Sequence, residues 1–354
     1  MPKKPRPDEI SLEPGTIYFI GERDLITGEE THYVKIGLTK LDRTAEDRED
    51  NLKTGNPREL FIKHKEFVSL VRSVESALRF EFRLQNVHLE WHVFRPDSPK
   101  KLPEAIAKCQ ELGREFAGYV PIVEAAKALV DIESMGEPIE KTPAAEHWWR
   151  EYWIHNHIMK LDEEARKRFT AMAKKRVGEG KPAPTGTTTT QVPRSAVDWE
   201  NFERDHKGLC AEFQTIKISR KFDVKGKLSS SDLQDPFVLD VQSRVNRFDA
   251  LLESPSDDED LYYSDLFRQF LMIEEIAGFS KFKKELARCQ LSVLCGEAPG
   301  IQGLLVWQTK RESTLDKAAI KSAHPLLVEQ YTTTKVIEST RTGVAGEMAA
   351  DTEE

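Results

Sequence analysis

The stretch THYVKIGLTK, residues 31–40, decides how the first hundred residues are read. Val34, Ile36 and Leu38 fall on one side of a period-two pattern, and Tyr33, Lys35, Gly37 and Thr39 on the other. That period is the mark of a half-buried β-strand, so a lysine inside the second face needs either solvent or a task. Upstream, GTIYFI alternates in the same way, with Ile17 and Phe19 opposite Thr16, Tyr18 and Ile20. The polar GERDLITGEETH between the two runs predicts a hairpin with a long tip. Downstream, LDRTAEDREDNLKTGNP reads as a helix, with Thr44 as N-cap and Gly55 closing it ahead of Pro57. ELFIKHKEFV reads as a third strand. VRSVESALRFEFRL reads as a helix burying Val71, Val74, Leu78 and either Phe82 or Leu84. EWHVF closes the unit as a short strand.

The remainder of the 354 residues is more solvated. The chain carries a net charge of -8, 32% charged residues and a mean hydropathy of -0.54. An acidic balance argues against non-specific coating of DNA but leaves room for a local cationic site. No apolar run approaches the roughly 20 residues that span a bilayer, and the start has no apolar signal-peptide core. The four scattered cysteines form no CxxC pair, and small buried thiols in a reducing cytoplasm are expected. The expected organisation has a disordered leader (1–13), an ordered unit (14–95), a helical extension (96–135) and a linker (136–146). A Trp-rich helix (147–176), a flexible Thr/Pro/Gly linker (177–196), a mainly helical accessory domain (197–338) and a disordered acidic tail (339–354) complete it. The Trp-rich helix is read as a packing or oligomer face.

Four features stand in one order: TIYFI, VKIG, Arg48 followed by LKTGNP, and VESALRFEF ending in EW. Together they resemble the GIY-YIG nuclease superfamily, in particular the compact phage-type branch whose second motif is VKIG. The resemblance covers residues 14–95. It implies an α+β fold in which a three-stranded antiparallel sheet is flanked by helices. It also implies an endonuclease that hydrolyses phosphodiester bonds in DNA, in phage defence, phage biology or recombination. The residues that match are Tyr18 of the first motif, Lys35 where better-studied members have tyrosine, Arg48, and Glu75 as ligand of a single Mg²⁺ or Mn²⁺. Relatives of this branch commonly carry a histidine four residues after that glutamate, and here the position is Arg79. Arg79, Thr39 and Asn56 are expected on the substrate side.

Elementary chemistry makes this set reasonable. Phosphodiester hydrolysis needs an attacking water, relief of charge on the phosphoryl oxygens and help for the leaving alkoxide. A hard cation on one carboxylate and a forked arginine supply the last two. Tyr18 is a weak base at its ordinary pKa of about 10, so a neighbouring cation, with Lys35 the candidate, is expected to favour its phenolate. The plainer readings make Tyr18 a sheet tyrosine, Lys35 a solvated edge lysine and Glu75–Arg79 a helix ion pair. Glu90 and Trp91 read as packing residues. A second, fainter resemblance links residues 282–335 to the tail of YqaJ-type phage recombinases through Gly296, Gly300, Gly303, Trp307, Asp316, Lys317, Lys321 and Pro325. It implies an accessory module for DNA or for a homo-oligomer. The alternative to an enzyme is a nucleic-acid-binding or assembly protein that keeps the fold without turnover.

Overall fold

A computed structural model describes residues 10–53, 58–88, 90–184, 186–254 and 259–342. The N-terminal unit runs β1 (Gly15–Arg23), β2 (Glu30–Lys40), α1 (Ala45–Lys53), β3 (Glu59–Val68) and α2 (Val71–Glu81). Two short strands follow, β4 (Asn86–His88) and β5 (Trp91–Val93). The sheet is antiparallel with order β3-β1-β2-β5-β4, so it has five strands where three were expected. The additions matter for the site. β5 pairs with β2 through Lys35↔Trp91, which turns β2 from an edge strand into an interior one.

Local chemistry sets the helices of this unit. Thr44 and Asp47 cap α1 reciprocally: the Asp47 N–H donates to Thr44 Oγ1 (3.1 Å), and the Thr44 N–H donates to Asp47 Oδ2 (2.8 Å). Helix α2 buries Val71, Val74 and Leu78, and Phe82 follows them inward while Leu84 is 54% exposed. Their core partners are Ile17, Phe19, Val34 and Ile36 from the sheet. Ile10 is buried in the same core, so the end of the expected leader is packed chain.

Helices α3 (Leu102–Ala117) and α4 (Val120–Leu129) break at Gly118–Tyr119, just ahead of Pro121. Helix α5 (Pro143–Gly178) begins four residues before the expected start, because Thr142 caps it by accepting from the Ala145 N–H and Pro143 suits a first turn. The expected flexible linker over 177–196 contains most of β6 (Thr187–Val197), which pairs along its whole length with β10 (Thr332–Thr342). A run of β-branched threonines adopts extended backbone readily once a partner strand is present. Between these strands lie α6 (Trp199–Asp205), α7 (Lys207–Glu212), β7 (Gln214–Val224), α8 (Pro236–Glu253) and α9 (Glu259–Cys295). They are followed by β8 (Gly300–Ile301), β9 (Leu305–Leu315), α10 (Lys317–Ala323) and α11 (Pro325–Glu329). The accessory region is thus helical with two long strand pairs, β6–β10 and β7–β9.

Helix α9 ties the halves together. Its C-terminal part sends Phe282, Leu286 and Cys289 into the core under the N-terminal sheet. Its first half packs Leu266, Phe270 and Ile273 against α5 and α8. All four cysteines are free and buried, as expected of small core residues. Among the described residues, no helix is long and apolar enough to cross a membrane.

Candidate functional site

The hairpin register places Tyr18 opposite Gly37 and Ile20 opposite Lys35, so Tyr18 and Lys35 share one face of the sheet. The glycine of the KIG triplet is there because a Cβ at Gly37 would overlap the Tyr18 hydroxyl. Gly37→Ala is therefore expected to expel the Tyr18 ring and to cost about 1–3 kcal/mol, as overpacking does. Thermal unfolding reads this directly, and an unchanged midpoint would contradict the close approach.

Tyr18 is fully buried against Ile20, Ala45 and Leu60, with Trp91 beside them. Arg48, from the middle of α1, is the cation that favours ionisation of its hydroxyl. Burial, reinforced by the nearby Glu90 carboxylate, pushes the Tyr18 phenol up to about 12 against the pull of Arg48. The expected phenolate is thus disfavoured in the free protein, and the cation beside Tyr18 is Arg48. Lys35 is engaged elsewhere: its Nζ lies 3.0 Å from Glu90 Oε2, with its side chain 13% exposed. A lysine in an interior strand is accommodated by pairing with a carboxylate. Glu90 is thereby fixed where its charge acts on both Tyr18 and Glu75.

Glu75 projects from α2 into a pocket of about 180 Å³ lined by Ser76, Arg79, Glu274, Glu275 and Gly278. Burial pushes its carboxyl up to about 7; Arg79 and Arg72 oppose the rise, and Glu90 and Glu275 add to it. Arg79 sits one turn further along α2, but its ion-pair partner is Glu275 of α9. Nη2 and Nε lie 3.3 and 3.4 Å from Oε1. Asn86 Nδ2 donates to the same oxygen at 3.0 Å. Burial pushes Glu275 up to about 7 as well, with Arg79 opposing. His92, on β5, is fully buried within electrostatic reach of Arg79. Its Nδ1 lies 3.1 Å from the Glu90 carbonyl, which only accepts, so Nδ1 carries the proton. Burial holds His92 down to about 4, a neutral imidazole.

Tyr18 and Lys35 thus share a sheet face, Arg48 and Glu75 act electrostatically on Tyr18, and Arg79 lines the pocket of Glu75. Thr39 lies on the same face of β2, opposite Thr16 of β1, and is buried. Asn56 lies outside the described residues. Glu275 and Glu90 are the members that sequence reasoning missed. Glu90 was read as packing, and Glu275 lies 196 residues from Arg79 in a helix with no nuclease motif.

The residues of the fainter C-terminal resemblance are not part of this site. Gly296 and Gly303 take positive φ at turns, and a Cβ on Gly300 would meet the Leu305 carbonyl. Asp316 caps α10 by accepting from the Ala319 N–H (2.9 Å), and Trp307 is buried under the Arg220 guanidinium. The Trp-rich helix packs internally: Trp148 and Trp149 join the Trp307 cluster, and Trp149 Nε1 donates to the Lys225 carbonyl at 2.7 Å. Set against family models, curated proteins and solved structures, the chain matches none.

Proposed function

We propose that this chain is a metal-dependent endonuclease that hydrolyses phosphodiester bonds in DNA. The observation that carries the reading is convergence. The charges of Arg48 from α1, Glu90 and Glu75 from α2 all act on the Tyr18 phenol of β1, and Lys35 holds Glu90. The donor set fits a hard divalent cation such as Mg²⁺ or Mn²⁺, which takes one or two carboxylates and several waters. Glu75 offers the carboxylate, and its pocket has room for the waters. When bound, such an ion offsets negative charge on the phosphoryl oxygens.

The chain's own groups supply the rest. Arg48 Nε is buried with no partner among the described residues, a donor left for a phosphate oxygen. Tyr18, with its phenol pushed up to about 12, keeps its proton at neutral pH and acts by orienting the attacking water. Lys35 and Glu90 fix the polar wall beside it.

The test is incubation with supercoiled plasmid and Mg²⁺ or Mn²⁺, with nicked or linear product expected. Glu75→Ala and Arg48→Ala should each slow cleavage by about a hundredfold or more. Inactivity on all single- and double-stranded DNA would sink the reading, and equal cutting by Glu75→Ala would remove Glu75 from it. A second reading, nucleic-acid binding without turnover, draws on Lys35 and Arg79, the two departures from the family pattern. Each is engaged by a carboxylate, and the same assay separates the two readings.

A further inference from the structure

The β6–β10 pair, which runs beside α5, opens to solvent near its cap end. Residues 193–196 and 333–336 are exposed on both faces of the ribbon, and Val336, opposite Pro193, is 66% exposed. Two strands by themselves are marginal in water. The ribbon is held at its far end by a small cap, where α6, α7, α10 and α11 bury Phe202, Cys210, Ile320 and Val328. The Asp198 N–H donates to the Tyr331 carbonyl at that junction (2.8 Å). Near the cap, Arg194 and Lys335 stand directly opposite each other, both exposed and with no carboxylate partner among the described residues. Like charges across a strand pair are destabilising, so folding alone does not account for the arrangement. The β6–β10 pair carries three Lys or Arg against one Glu, in a chain whose balance is -8.

We propose that the β6–β10 ribbon is a docking surface for duplex DNA, with the facing pair Arg194 and Lys335 neutralising phosphates. The occupant follows from charge and shape. The ribbon has small, hydrogen-bonding side chains such as Ser195 and Thr334, whose hydroxyls lie 2.7 Å apart. Two strands about 4.8 Å apart fit a major groove about 12 Å wide. Eleven residues of strand extend about 36 Å, close to one helical turn of DNA. The partner rests on the nuclease reading above, while the surface does not: it would place affinity on the ribbon and leave chemistry on the N-terminal sheet.

The experiment is fluorescence anisotropy of the full chain with a labelled duplex of about three helical turns, in EDTA, so that binding is read without cleavage. Arg194→Glu with Lys335→Glu should weaken binding at least about tenfold and lower the salt slope by about 2. Arg194→Gln with Lys335→Gln should give a smaller loss, and circular dichroism checks that each variant is folded. Lys160→Glu with Lys167→Glu, an equal charge change on α5, should bind as wild type. The proposal is overturned by any of four results: no wild-type binding, unchanged binding by the reversed pair, an equal loss in the α5 control, or tighter binding to duplex RNA. A ribbon-dependent dimer that leaves duplex affinity intact also overturns it. Ribbon-dependent binding without plasmid cleavage would retain the surface and discard the enzyme.

Discussion

Glu275→Leu is expected to destabilise the fold by about 3–5 kcal/mol, the range for breaking a buried pair from one side. The Glu275 side chain is 3% exposed, and one of its oxygens accepts from both Arg79 and Asn86. Leucine fills the volume but leaves a guanidinium and an amide without that acceptor. The intact pair contributes little net energy, because burial costs both charges. The loss comes from stranding Arg79. The double variant Arg79→Met with Glu275→Leu should therefore recover most of the stability, since apolar groups of similar volume replace a buried pair almost neutrally. Denaturant unfolding at about pH 8, above the raised Glu275 pKa of about 7, measures the ionised pair. A single-variant loss under about 1 kcal/mol, or a double variant no better than the single, would show that this pair does not fasten α9 to α2.

Why the sequence reveals one half of this pair and hides the other is a matter of range. Period-two and period-3.6 patterns are local, and they placed β1, β2 and the inner face of α2 correctly. The reciprocal Thr44–Asp47 cap is local too. Phe82 over Leu84 is decided only by where α2 ends and the sheet begins. Glu275 faces Arg79 across the whole chain, and no spacing rule reaches that far. A signal was present: in LMIEEIAGF, Glu275 lies between Ile273 and Ile276, both buried, and a carboxylate so placed needs a partner. It announces that a partner exists without saying which. The threonine run at 187–190 fails for the same reason, since its partner strand begins more than 140 residues later. Lys35 was legible as a residue with a task, but its task depends on Glu90, brought beside it by the pairing of β5 with β2, which a pattern in the strand alone does not give.

The Glu75 carboxyl turns the same physics toward function. Glu75→Gln is expected to stabilise the metal-free protein by about 1–2 kcal/mol at about pH 8 while slowing cleavage by about a hundredfold or more. Burial holds the folded carboxyl up to about 7, above its ordinary value of 4.5, so the folded state disfavours the ionised form. Below about pH 4.5 the carboxyl is protonated in both folded and unfolded chains and nothing is lost. Between 4.5 and 7 the unfolded chain releases the proton first, and the cost of folding grows with pH. Above 7 the cost is complete, and glutamine, isosteric and neutral, avoids it. The full shift would be worth more, but the pocket mouth leaves Glu75 partly solvated, and screening reduces the gain. Divalent cation should reverse the order, stabilising wild type by mass action and leaving Glu75→Gln unmoved. A wild type already as stable as Glu75→Gln across pH 5–8 without metal would mean that Glu75 bears no buried charge, and with it would go the reason to place a cation there.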